Sequence, residues 1–224
     1  MQNPIQQITV LATAIALALC LHTTVYANEA SGEDRVVEGA ISGTYRIDRT
    51  HANLTWKVMH KGLAKYVARF TDFEAVLEFD ADDPKNSKLE VTVDPASVRT
   101  DYPQGKPYKF AKDEDFDAKL AGVGWFDAAA FPVINFRATT IERTSKNTGK
   151  ITGDLTFLGV SKSIILDVTL NGTQSNFDDN TGALGFSGRT VIKRSEFGLA
   201  RFIPLVADEV EIYMEVEFYL DNEE

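Results

Sequence analysis

Cysteine is almost absent from the 224-residue chain: Cys20 is the only one, and it lies in the amino-terminal segment. A domain folded beyond that segment has no disulfide, no thiolate nucleophile and no cysteine-ligated metal. Histidine is scarce as well, with only His51 and His60 beyond residue 27. Basic charge is in short supply, since 23 Lys and Arg stand against 33 Asp and Glu for a formal net charge of −10. That balance argues against nucleic acid and anionic membrane surfaces as partners of the chain as a whole. There is no Gly-rich phosphate loop, and neither Ser161 nor Ser163 sits in a nucleophile-elbow pattern. Without disulfides, a folded domain must rely on its apolar core, which about 180 residues can supply.

Long hydrophobic runs are confined to one place. Ile8 to Leu21 is nearly continuous apolar sequence, followed by Val25-Tyr26-Ala27. The run is short for a membrane span and suits the apolar region of a secretory leader with a small-residue cleavage site. Residues 1–27 are expected to be a signal peptide cleaved near Ala27, leaving no integral membrane span. A lipid anchor on Cys20 is disfavoured by the bulky Leu19 before it. Residues 28–43 are acidic and rich in small side chains, as in a flexible tether.

Residues 149–170 hold the most regular pattern in the chain. Ile151, Gly153, Leu155 and Phe157 fall on one face, and Thr152, Asp154 and Thr156 on the other. After a break at Gly159-Val160-Ser161-Lys162, the apolar face resumes with Ile164, Leu166, Val168 and Leu170. Period-two alternation either side of a short glycine-containing turn predicts an antiparallel hairpin with one buried face. The same period predicts a strand opening at Tyr45 to Asp48 and a second over Leu54, Trp56, Val58 and His60. Others follow over Phe73 to Phe79, Leu89 to Val93, Val133 to Phe136, Leu184 to Lys193 and Ile212 to Leu220. Residues 95–130 break the alternation with several Pro and Gly, and Asp113 to Leu120 predicts one short helix. A connection of this length is commonly functional or lid-like. About eight strands, each apolar on one face, make a sheet wide enough to curl, and closure removes its edges. The expected fold is all-β: an eight-stranded antiparallel up-and-down barrel over residues 44–221, with a short helix in the long middle connection. Such a barrel has room for side chains and one ligand.

Several local strings are informative together. They are Tyr45-x-Ile47-Asp48-x-x-His51, His60 with Gly62, and Arg69-Phe70-x-x-Phe73. Trp125-Phe126-Asp127 precedes Phe131-Pro132 and Phe136; then come Gly153-x-Leu155-Thr156-x-Leu158-Gly159-Val160-x-Lys162 and Arg194-Ser195-x-Phe197-Gly198. In this order, from Tyr45 to Leu220, they resemble the YceI-like family: lipocalin-like, polyisoprenoid-binding periplasmic proteins of bacteria. Ala68 and Ala75 stand where that family often carries glycine, and Ala52 where it often carries serine. The resemblance implies a lipocalin-like barrel around a long-chain isoprenoid or related amphiphilic lipid, in the periplasm. It implies no cofactor and no catalytic residue.

Candidates for the lining of such a cavity are Trp56, Phe79, Phe136, Leu155, Phe157, Leu166, Phe186, Met214 and Phe218, all on apolar faces. Candidates for a lipid head group are His51, His60 and Arg194. As a metal pair, the two histidines lack a third ligand nearby, and their odd separation puts them on opposite faces of an uninterrupted strand, so no metal is expected. A structural hydrogen bond, from His51 to Asp48, is the commoner arrangement. Asp127, beside Trp125 and Phe126, reads as a turn cap before Ala128 more readily than as a buried acid. Arg194 and Arg201 flank Glu196-Phe197-Gly198, which suits a surface ion pair or an anion anchor. Two other classes stay open. One is an isomerase or hydrolase for an apolar substrate using His51, His60 or Asp127; the other is an outer-membrane barrel with a polar lumen. A homodimer is compatible with the sequence, though no interface is legible in it.

Overall fold

Each alternating segment has one face that must leave water and one that can stay in it, and antiparallel pairing turns all the apolar faces to the same side. The computed structural model describes residues 40–103, 114–174 and 182–221. The expected leader, most of the tether and part of the long connection lie outside the described residues. The strands are β1 (Gly43–His60), β2 (Ala64–Phe70), β3 (Phe73–Phe79), β4 (Lys88–Val93) and β5 (Val98–Arg99). After the helix α1 (Phe116–Ala121) come β6 (Ile134–Arg143), β7 (Thr148–Phe157), β8 (Val160–Gln174), β9 (Ala183–Lys193) and β10 (Val206–Leu220). The order around the sheet is β10-β9-β8-β7-β6-β4-β3-β1-β2-β5, and β10 pairs back onto β1. All strands but β2 and β5 therefore close an eight-stranded antiparallel up-and-down barrel. No helix among the described residues is long and apolar enough to cross a membrane.

Two segments differ from the sequence expectation. The first two expected strands are one continuous strand, β1, which keeps its partner β10 along its length. Ile47 pairs with Phe218 and Ala52 with Val216, so Asp48 to His51 bulge outward opposite the single residue Glu217. On its other flank β1 pairs with β3 over Gly43 to Arg46 and with β2 over Leu54 to His60. The strand β2 was not expected. Its inward residues are Tyr66, Ala68 and Phe70, while Val67 faces out and is exposed, which flattens the hydrophobic contrast along it.

The central hairpin forms with a tighter turn than the sequence suggests. Phe157 pairs with Val160 across Leu158-Gly159, whose φ angles are 50° and 74°. That two-residue turn with two positive φ angles matches the twist of the flanking strands, and Val160 to Lys162 already belong to β8. The short helix expected over Asp113 to Leu120 forms over Phe116–Ala121, beginning one residue after Asp115, whose carboxylate accepts from the Ala118 N–H at 2.9 Å.

The interior has two parts. Tyr45, Ile47, Phe73, Leu77, Leu184 and Phe218 pack solidly at one end. A second cluster, including Leu120, Phe126, Phe136, Leu155, Phe157, Leu166 and Phe197, surrounds the other end. Gly153 links β7 to this second cluster: a Cβ there would stand 2.4 Å from Phe136 Cζ and 2.5 Å from the Arg137 carbonyl oxygen. The Phe136 ring thus occupies the space that a side chain at residue 153 would need. Gly153→Ala should cost about 2 kcal/mol or more in urea unfolding, because backbone as well as ring must shift. Gly172→Ala, with nothing within 4 Å of the added Cβ, should stay within about 0.5 kcal/mol of the parent.

Candidate functional site

Beyond the packed end, the strands enclose a cavity of about 660 Å³. Its walls come from the second half of β1, from β2, from the adjoining ends of β4 and β6 to β9, from the first half of β10, and from α1. At this end β4 stops at Val93, and the chain crosses through β5 onto β2 rather than continuing beside β6. The gap is covered by residues 116–131. Phe126 fills it, with its ring 6.0 Å from that of Trp56, 5.4 Å from Phe70 and 5.9 Å from Phe157. At the far side of the gap, Phe131 rests against the β7–β8 turn, 2.8 Å from where a Gly159 Cβ would stand.

Of the residues expected to line a cavity, Trp56, Phe136, Leu155, Phe157, Leu166 and Met214 do so. Phe79, Phe186 and Phe218 lie outside the lining, in the packed end. There Phe79 meets Tyr45 edge-on at 6.2 Å, and Phe186 meets Phe218 edge-on at 6.1 Å. Alternation reports which way a side chain points, not how far along the barrel axis it stands. Tyr66, Phe70, Phe116, Leu120 and Phe126 join the lining from β2 and the middle connection. Phe70 and Phe126 stood in the sequence only as members of the ordered motifs and Leu120 as part of the expected helix, and none of these signals places a side chain in a cavity. Trp56 Nε1 is buried with no hydrogen-bond partner, and its ring meets Phe126 at 89°.

The three head-group candidates separate. His60 lines the cavity at its open end. Arg194 also borders the cavity but is 4% exposed, and its guanidinium is spent on backbone. Its Nε donates to the Ala207 carbonyl at 2.8 Å, Nη1 to Leu199 at 2.7 Å and Nη2 to Val206 at 2.8 Å. Burial lowers its pKa from the ordinary value. The residue therefore ties the β9–β10 connection together, in place of the surface ion pair expected from sequence. Beside it, the Ser195 N–H and hydroxyl both donate to Asp208. Burial alone would raise the Asp208 carboxyl, but these two bonds, together with the charges of Arg194 and Lys193, outweigh it and hold it below its usual range.

His51 is not part of the cavity. It stands on the outward bulge of β1, its Nδ1 2.6 Å from Asp48 Oδ2. Asp48 also accepts from the Thr50 N–H at 2.8 Å and the Thr50 hydroxyl at 2.7 Å. The third neighbour that the sequence did not reveal is Glu217 of β10, brought by cross-strand register so that ligand atoms of Asp48, His51 and Glu217 lie within 4.8 Å of one another. Among the described residues Arg201 forms no ion pair either: its guanidinium lies 5.6 Å from the Trp125 ring centroid and 4.8 Å from that of Phe202. Asp127 shapes its turn through its backbone. It has φ of 43°, and its carbonyl accepts from the Ala130 and Phe131 N–H groups. Of His51, His60 and Asp127, only His60 borders the cavity.

Two outcomes follow from these contacts. Arg194→Met leaves three carbonyls without their donor and should cost about 3 kcal/mol or more in chemical unfolding, with faster proteolysis near residues 199–206. The His51 imidazole is raised above 6.5, first by its hydrogen bond to Asp48 and then by the charges of Asp48 and Glu217. A raised folded-state value means that the pair's small contribution is complete below pH 6.5 and is lost as pH rises through the raised value. An NMR titration should place the His51 midpoint above 6.5 in the parent and lower in Asp48→Asn.

A family model described as the YceI-like domain matches residues 45–218 of this chain. Among sequence relatives, a UPF0312 protein of Pseudomonas fluorescens is 29% identical over 161 residues, covering 71% of this chain and 78% of that protein. Among solved structures, the YCEI protein of Campylobacter jejuni superposes with a TM-score of 0.60 at 31% identity, over 74% of this chain and 91% of that one. A polyisoprenoid binding domain from Saccharophagus degradans shares the fold with a TM-score of 0.54 at 12% identity, over 79% and 98% of the two chains. A match running from the first barrel strand to the last places this protein in the YceI-like family.

Proposed function

We propose that this protein binds a long-chain isoprenoid or a similar amphiphilic lipid in its barrel cavity, for transport, storage or sequestration in the periplasm. The carrying observation is the cavity itself, walled predominantly by aromatic and aliphatic side chains. Its volume falls within the range of about 300–1,000 Å³ common to small-molecule sites. Each buried ligand methylene contributes about 0.8 kcal/mol, so ten carbons give roughly 8 kcal/mol before the cost of immobilisation. No polar contact at the rim matches that sum, so apolar burial sets the affinity and the rim sets orientation. The binding described for the Saccharophagus degradans domain of the same fold supports this reading. The apolar run over Ile8 to Leu21 with Ala27 beyond it supports export, with cleavage near Ala27 and a tether over residues 28–43. The site is assigned a binding role, without a catalytic residue or cofactor.

The direct test is mass spectrometry of an organic extract from protein purified from its native periplasm without detergent. A stoichiometric isoprenoid, quinone or related chain is the expected result. An empty extract, with no thermal stabilisation by added isoprenoids, would sink the proposal. Filling the cavity gives a second check. Ile164→Trp and Met214→Trp each place a larger ring where the lining is half-buried. Either should weaken isoprenoid binding by about tenfold or more, the loss of two buried methylenes, with the β-sheet circular dichroism spectrum retained.

A further inference from the structure

Among the described residues, three loops meet at the open end of the cavity. The β1–β2 turn is held to the β9–β10 connection by the Lys61 N–H, which donates to the Leu205 carbonyl at 2.6 Å. The segment after α1 reaches the same connection, since the Trp125 and Phe202 rings are 5.9 Å apart. Arg201 Nη1 lies 3.1 Å from where a Gly124 Cβ would stand. Lys61, Trp125, Phe202 and Leu205 all border the cavity, so these loops form its mouth.

The outer surface of the mouth is unusually apolar for a chain of this charge. Leu63 is 84% and Val123 81% exposed, and Phe202, Ile203 and Leu205 are also exposed. The only formal charges in residues 61–63, 122–125 and 199–206 are Lys61 and Arg201. Neither has a carboxylate ion-pair partner among the described residues. On a chain of net charge −10, the mouth is therefore a local region of positive charge ringed by apolar tips. Whole-chain charge argued against anionic surfaces, but a field at close range follows the local distribution rather than the sum.

From this arrangement we infer that the mouth docks on an anionic phospholipid bilayer. Leu63, Val123 and the Phe202-to-Leu205 tip enter the boundary between head groups and acyl chains, and Lys61 and Arg201 meet the phosphates. Apolar side chains beside basic ones suit that boundary, where burial of the tips and attraction to anionic lipid add. The cavity then opens toward the bilayer, and a lipid crosses between them without passing through water. This inference rests on the lipid-binding function proposed above.

The test compares the parent with Leu63→Asp/Val123→Asp, two positions outside the cavity lining. Both proteins carry the same amino terminus, so any contribution from it is common to the two. Co-flotation is measured with vesicles of phosphatidylglycerol in phosphatidylcholine and of phosphatidylcholine alone, beside isoprenoid binding in vesicle-free solution. The parent should float with the anionic vesicles, less with neutral ones and less at high salt. The double variant should float about tenfold less while binding soluble isoprenoid as the parent does. Equal flotation of parent and variant overturns the docking inference, as does isoprenoid binding without any flotation. Concentration-dependent dimerisation that the variant abolishes, in the absence of flotation, overturns it in favour of an interface between copies. Vesicle docking that persists without isoprenoid binding upholds the docking surface and removes the cargo reading instead.

Discussion

The pairing of β1 with β10 leaves neither end of the meander as a free edge, and the barrel's inside and outside are defined by it. The register runs from Tyr45 opposite Leu220 to His60 opposite Val206, joining the two ends of the folded region. An open sheet of this width would expose unpaired N–H and C=O groups along two edges and would leave its apolar face partly wet. The seam also has to absorb a mismatch, because β1 holds extra residues between Ile47 and Ala52. Those residues are turned outward as a bulge that the Asp48 carboxylate satisfies locally. Bulges bend a strand and increase its twist, and the bend lets one strand serve β3 at the packed end and β2 at the open end.

The change of neighbour along β1 divides the interior. Where β1 meets β3, large side chains such as Tyr45, Phe73, Leu77 and Phe218 fill the barrel from wall to wall. Where β1 meets β2, the wall widens, since β2 pairs on its far side only with the two residues of β5. Close packing cannot continue across that span with the same residues. The chain covers the gap with residues 116–131 and leaves a chamber behind Phe126. Arg194 stabilises the same end by holding the Leu199 carbonyl of the β9–β10 connection to the Val206 and Ala207 carbonyls at the start of β10. Buried carbonyls without donors are costly, so this arginine serves the wall of the chamber rather than its contents. The loops it supports also carry the apolar tips of the mouth.

Much of this is written locally. The alternation of Ile151 to Phe157 and Ile164 to Leu170, and that of Ile212 to Leu220, determined strands with an inner and an outer face, because a period of two has one meaning in a pleated chain. The acidic run Asp113-Glu114-Asp115 marked a short helix through its charge at the first turn, while the cap that Asp115 supplies to α1 came from the structure. Strand number and the need to remove edges led to a closed barrel, and the ordered motifs from Tyr45 to Phe197 led to the family. Trp56, Phe136, Leu155, Phe157, Leu166 and Met214 were placed inward by the same alternation.

What the alternation lacks is a coordinate along the barrel axis. Phe79, Phe186 and Phe218 point inward as surely as Phe157 does, yet they belong to the packed end because of where register sets them. Val67 and Ala68 invert the hydrophobic contrast of β2, so that strand is defined by its partner β1 rather than by its own residues. The meeting of Glu217 with Asp48 and His51, and of Arg194 with the carbonyls of Leu199, Val206 and Ala207, depends on pairings between distant segments. Hydrophobic patterning is a property of a strand alone, and the sequence by itself determined the faces. The heights, the gap in the wall and the gathering of three loops at one mouth are properties of neighbours, which only the closed tertiary structure decided.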